Sequence, residues 1–153
     1  MSDLAMSDVQ GETIDDDMYQ ENILDHYKHP RHKRALTTCT FQHHEVNPVC
    51  GDMLTFYVEV AGGVIKDISF SGHGCAISQA SASLLAEYLY EKPVLVLVKM
   101  KPEVVYGLLG ITISLGRVKC AMLSFVTVTK AYENYVGSKK TDNEIKKLKK
   151  IEK

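Results

Sequence analysis

Three of the four cysteines in this chain lie in short glycine-marked segments: Asn47-Pro48-Val49-Cys50-Gly51-Asp52, Gly72-His73-Gly74-Cys75, and Arg117-Val118-Lys119-Cys120 just after Gly116. They stand 25 and 45 residues apart, so no helix or hairpin makes them neighbours; only a folded domain can. If they converge with Asp52 beside Cys50, the site offers three thiolates and one carboxylate, a donor set suited to zinc or an iron–sulfur cluster. Pro48 stiffens the approach and Gly51 permits a tight turn, which lets Cys50 and Asp52 address one ion. Cys75 and Cys120 each fall near the start of a predicted helix. Unpaired N–H groups there favour thiolate over thiol, so both sulfurs are expected to deprotonate readily.

The fourth cysteine, Cys39, sits in Thr37-Thr38-Cys39-Thr40-Phe41 without a flanking glycine and is expected to be a structural strand residue. The absence of a basic secretion signal and of any run of roughly 20 apolar residues excludes a membrane span and points to the cytoplasm. Thiols stay reduced in that compartment, so one free thiol plus a three-thiol site is expected rather than two disulfides.

With 153 residues and 45% hydrophobic content, one domain with one core is expected. The net charge of −1 supplies no basic field, and nucleic acid is not an expected partner. Charge is nevertheless uneven along the chain. Residues 1–17 carry six acids and no base, and residues 139–153 carry seven lysines against three acids. Both ends read as solvated tails, an acidic one over 1–17 and a lysine-rich one over 137–153, flanking a domain at 18–136.

Asp17 and Gln20 form a capping box for a helix from Met18 to about Lys28, with Tyr19, Ile23, Leu24 and Tyr27 as its apolar stripe, closed by His29-Pro30. Leu54, Phe56, Val58 and Val60 alternate with polar neighbours, and Val64–Phe70 follows Gly62-Gly63, which predicts a hairpin. Residues 37–45 supply a third strand. Helices are predicted over 77–90, from Pro102 to Leu109, and over 121–136; Ile145, Leu148 and Ile151 are spaced so as to prolong the last. Val94-Leu95-Val96-Leu97-Val98 reads locally as a buried strand. Among the histidines, His73 and the pair His43-His44 could reach a metal, but His43 and His44, like His26 and His29, are expected to be exposed polar residues.

The three cysteine segments, the stretch Ala76-Ile77-Ser78-Gln79-Ala80-Ser81-Ala82-Ser83 after Cys75, and Met18–Arg31 resemble the signatures of the IscU/SufU/NifU N-terminal family, in the family's order and over about residues 18–136. The resemblance implies an α+β fold of the SufE/NifU-like, IscU type: a three-stranded antiparallel sheet covered on one side by helices, with helix rather than strand at 94–99. It implies a scaffold that builds a labile [2Fe–2S] cluster on Cys50, Asp52, Cys75 and Cys120 and passes it to acceptor apoproteins. Sulfur would come from a cysteine desulfurase as a persulfide on Cys50, Cys75 or Cys120. A SufU-like zinc-dependent sulfurtransferase is the alternative, with Zn2+ on the same donors. Lys119 stands where IscU-type scaffolds have histidine, placed to favour a Cys120 thiolate or to pair with Asp52. Arg117-Val118-Lys119-Cys120 resembles SufU, yet the 45-residue gap leaves no room for that branch's insertion. Ile113-Ser114-Leu115-Gly116-Arg117 replaces the Leu-Pro-Pro-Val-Lys chaperone motif, so docking of the dedicated Hsp70-type chaperone is not expected.

Overall fold

The computed structural model describes residues 18–151, with side chains described through residue 139. The acidic segment 1–17, including the Asp17 cap, and the side chains of the lysine-rich end lie outside the described residues.

Strands β1 (Phe41–Asn47), β2 (Asp52–Ala61) and β3 (Val64–His73) form one antiparallel sheet in the order β1-β2-β3. Gly62 and Gly63 both adopt positive φ, +60° and +75°, the turn that matches the twist of a two-residue hairpin. Alternation along β2 sends Leu54, Phe56 and Val58 into the core, where Phe56 and Val58 lie opposite Phe70 and Ile68 of β3. Each such side chain contributes about 1.5–3 kcal/mol by burial. The same period carries Asp52 to the buried face, and Phe41, His43, Glu45 and Asn47 share one face of β1.

That face is covered by α2 (Ala76–Leu89) and α5 (Val118–Ile151). Helix α2 is buried at every position from Ser78 to Ala86, because small residues on all sides let its neighbours approach. Its hydroxyls need partners there. Ser81 donates to the carbonyl of Ala121 at 2.8 Å, so its single proton is used and Ser124 donates to Ser81 at 2.7 Å. The start of α5 is thereby pinned to the middle of α2. Helix α5 tolerates Thr127 and Thr129 because their hydroxyls donate to the carbonyls of Leu123 and Phe125 one turn back. It runs unbroken across residues 136–137 to Ile151.

Residues 18–28 form α1, but the buried face differs from the expected stripe. Ile23 and His26 are buried, while Tyr19, Leu24 and Tyr27 are 41–47% exposed. His26, expected at the surface, accepts a bond from Ser83 at 2.7 Å, and Ser83 accepts the Arg31 N–H at 2.8 Å. Burial holds the His26 imidazolium pKa below its ordinary value, which favours the neutral acceptor form. The local strand reading at 94–98 is also overturned. Val94 N–H bonds Gly63 O at 2.9 Å, but the chain then turns into α3 (Val96–Lys99), burying Leu97 and leaving Leu95 and Val98 exposed. Five consecutive apolar residues satisfied a strand template that one buried helical position explains better. Strand β1 starts at Phe41, so Cys39 precedes it, half-buried, with its thiol 3.7 Å from Gln42 Oε1. Helix α4 (Glu103–Leu109) follows Pro102 and ends on Gly110 at φ +70°.

Candidate metal centre

The four donors arrive from three different structural contexts. Cys50 sits in the turn joining β1 to β2, closed by the Gly51 N–H donating to Asn47 O at 2.8 Å and the Val49 N–H donating to Asn47 Oδ1 at 3.2 Å. Asp52 opens β2 opposite Asn47, and strand alternation turns its carboxylate inward to 3% exposure. Cys75 is the residue immediately before α2; its N–H donates to Asp52 Oδ1 at 3.1 Å and its thiol lies 3.6 Å from Asp52 Oδ2. Cys120 is in the first turn of α5, with its sulfur 3.2 Å from that of Cys50.

The donor atoms of Cys50, Asp52 and Cys120 all lie within 4.8 Å of one another, and Cys75 joins them through Asp52. The surrounding cavity, about 730 Å3, is lined also by Gly51, His73, Gly74, Gly116 and Arg117. Gly74 is required by contact rather than by φ: a β-carbon there would stand 2.7 Å from Asp52 Oδ1 and 2.5 Å from Ser78 Oγ. Cys39 takes no part, and His73 lies on the lining outside the group of mutually close donors.

Two expectations change. Cys120 is 3% exposed, and burial, followed by the neighbouring Cys50 and Asp52, pushes its thiol well above the usual range. Desolvation of a charge outweighs the attraction of a helix end, so proximity to that end does not by itself yield a thiolate. Lys119 is exposed and lines a separate hollow with Glu45, Asn47, Pro48 and Met122, because one residue is about 100° of turn on a helix. Arg117 is the cationic residue on the lining of the donor cavity.

Residue-by-residue reading missed Asn47 and Ser81 as supports. Asn47, 5% exposed, directs Nδ2 toward Cys120 Sγ at 3.9 Å while its backbone and Oδ1 shape the Cys50 turn. Asn-Pro before a cysteine is a turn signal that points to this role. Ser81 fixes Cys120 relative to Cys75 through Ala121, a contact across 40 residues that leaves no local signal.

A helix-covered three-stranded sheet gathers three thiols and a carboxylate in one open pocket, a donor set for iron or zinc. The chain belongs to the family of the NifU-like N terminal domain, whose model matches residues 18–142. It is 31% identical over 139 residues to the zinc-dependent sulfurtransferase SufU of Bacillus subtilis strain 168, covering 80% of this chain and 94% of that protein. Over a shorter stretch of 70 residues it is 46% identical to the iron–sulfur cluster assembly scaffold protein IscU of Thermotoga maritima, 46% of this chain and 49% of that one. The solved structure of a candidate SUF-system assembly scaffold from Fervidobacterium islandicum AW-1 superposes with TM-score 0.64 at 28% identity, covering 72% of this chain and 93% of its own.

Proposed function

We propose that residues 18–136 form a scaffold on which a labile [2Fe–2S] cluster is assembled as cargo and from which it passes to acceptor apoproteins, with residues 1–17 and 137–153 as flanking segments. The observation that carries this reading is the convergence of Cys50, Asp52, Cys75 and Cys120 on one open cavity. Three sulfurs bind iron strongly and the carboxylate weakly, which suits a cluster that must leave. A cysteine desulfurase supplies sulfur as a persulfide, and exposed Cys50 is the most accessible acceptor among Cys50, Cys75 and Cys120. Four free thiols fit work in a reducing cytoplasm, and no helix among the described residues is long and apolar enough to cross a membrane.

The test is anaerobic reconstitution with iron, a desulfurase and cysteine, following visible absorption and metal content in the wild type and Asp52→Ala. A coloured cluster is expected in both, with a several-fold longer lifetime in the variant, because the weakest donor is where water and acceptor ligands enter. Equal lifetimes would sink the assigned role of Asp52.

The Bacillus subtilis relative supports a second reading, that of a zinc-dependent sulfurtransferase. The donor set fits: Cys50, Asp52, Cys75 and Cys120 would supply the four ligands zinc prefers, and zinc would hold the thiols deprotonated. Tight stoichiometric zinc, no colour under any reconstitution and stimulation of the desulfurase would select it.

A further inference from the structure

The four donors are not equivalent in their contacts. Cys75 Sγ approaches the Asp52 carboxylate, whereas Cys50 Sγ and Cys120 Sγ touch each other at 3.2 Å. A disulfide bond of about 2.05 Å therefore needs a contraction of only about 1.2 Å from that separation. The two thiols also differ in access: Cys50 is exposed, and Cys120, in contact with it, is buried.

We propose that Cys50 and Cys120 act together as a dithiol that reduces the sulfane sulfur of a persulfide to sulfide within the scaffold itself. The inference rests on the sulfur-carrying reading above for the arrival of the persulfide. A donor reaching the exposed thiol adds its sulfur from the solvent side, opposite the buried neighbour. Cys120 then faces the inner sulfur of the persulfide, with the outer sulfur as leaving group. The Asp52 carboxylate beside both sulfurs is placed to take the Cys120 proton for the attack and pass it to the departing sulfide. The step balances as Cys50–S–SH + HS–Cys120 → Cys50–S–S–Cys120 + H2S. The S–S bond of the persulfide breaks and a new one forms between the cysteines. Both electrons come from the cysteine pair, and the Cys120 proton leaves with the sulfide. A dithiol reductant resets the pair by a second exchange. Cluster assembly needs sulfur at the sulfide level, and this pair delivers one equivalent at the site of use.

The test uses the full-length protein, reduced, treated with a chelator and desalted anaerobically, then given one equivalent of glutathione persulfide. Released sulfide is trapped with monobromobimane, and disulfides are mapped by peptide mass spectrometry without reduction. Near-stoichiometric sulfide with a Cys50–Cys120 cross-link is expected in the wild type, and the same yield in Cys39→Ser. Cys120→Ser should release at least ten-fold less sulfide and retain the persulfide on Cys50. A persulfide that survives intact in the wild type, a cross-link to Cys75 in place of Cys120, or sulfide that appears only after added dithiol overturns the proposal. Because the mapping is done on the wild type, the outcome does not depend on the variant folding. Iron reconstitution of a parallel, fully reduced batch with dithiol present separates the two readings: colour there with no cross-link in the persulfide experiment removes only this one, and the cross-link with no colour in the reduced batch removes only the scaffold.

Discussion

Two polar clusters join α5 to the same face of β1, and they are built on opposite electrostatic plans. Midway along the strand, Glu45 accepts from His43 at 2.9 Å and from Lys130 at 3.2 Å, while Asn134 Nδ2 lies 3.4 Å from the other nitrogen of His43. The His43 bond, with Lys130 behind it, holds the Glu45 carboxyl below its ordinary range. At the end of the strand, Asp52 sits among three thiols, and no salt bridge reaches it among the described residues. The first cluster neutralises itself and acts as a clasp. The second gathers donors that can all become anionic, an arrangement that a cation completes, and Arg117 stands on its lining rather than within it. Buried acceptors without an internal cation are a stronger mark of a metal site than cysteine count alone.

The contrast is most easily broken at Gly74. Gly74→Ala drives a β-carbon into Asp52 and Ser78, so iron or zinc loading should fall at least ten-fold while the Glu45 cluster persists. Titration of metal binding beside a circular dichroism spectrum checks this, and unchanged loading would mean that the carboxylate is not held where the structure puts it. Ser81→Ala removes the donor to Ala121 O and strands Ser124, which should cost about 1–3 kcal/mol of stability. Urea unfolding measures that loss. If Ser81 also sets the Cys75–Cys120 spacing, metal affinity should drop several-fold as well.

The smallest effect belongs to the clasp. Glu45→Gln should destabilise by no more than about 1 kcal/mol, because the pair is partly solvated, and should leave metal loading unchanged. Its pH dependence has a definite sign. A carboxyl whose folded pKa is lowered adds stability that is complete above its unfolded value of 4.5 and disappears as pH falls through the folded value. The difference between wild type and Glu45→Gln should therefore shrink below about pH 4.5. A difference that persists in acid would show that Glu45 acts through packing rather than charge.

Much of the fold is legible without coordinates because its rules are local. The alternation Leu54, Phe56, Val58 has period two, Gly62-Gly63 suits a turn with positive φ at both positions, and Pro102 and Gly110 bracket a helix. Legibility fails where one pattern satisfies two templates, as at 94–98, and where a polar residue is buried by a distant partner. His26 is hidden because Ser83, 57 residues away, offers it a hydroxyl. No window around His26 contains that information.

The amino-acid sequence alone determines the chemistry on offer: which residues can be thiolates or carboxylates, which segments must turn beside them, and that no local element can unite them. The tertiary structure decides everything that depends on through-space distance. It sets Cys50 against Cys120, gives Asp52 to the Cys75 N–H, puts Arg117 rather than Lys119 on the cavity lining, and raises the Cys120 thiol where a helix end alone would lower it. The physical reason is that desolvation and contact depend on which helices cover which end of the sheet. That choice is made by the packing of α2 and α5 as a whole.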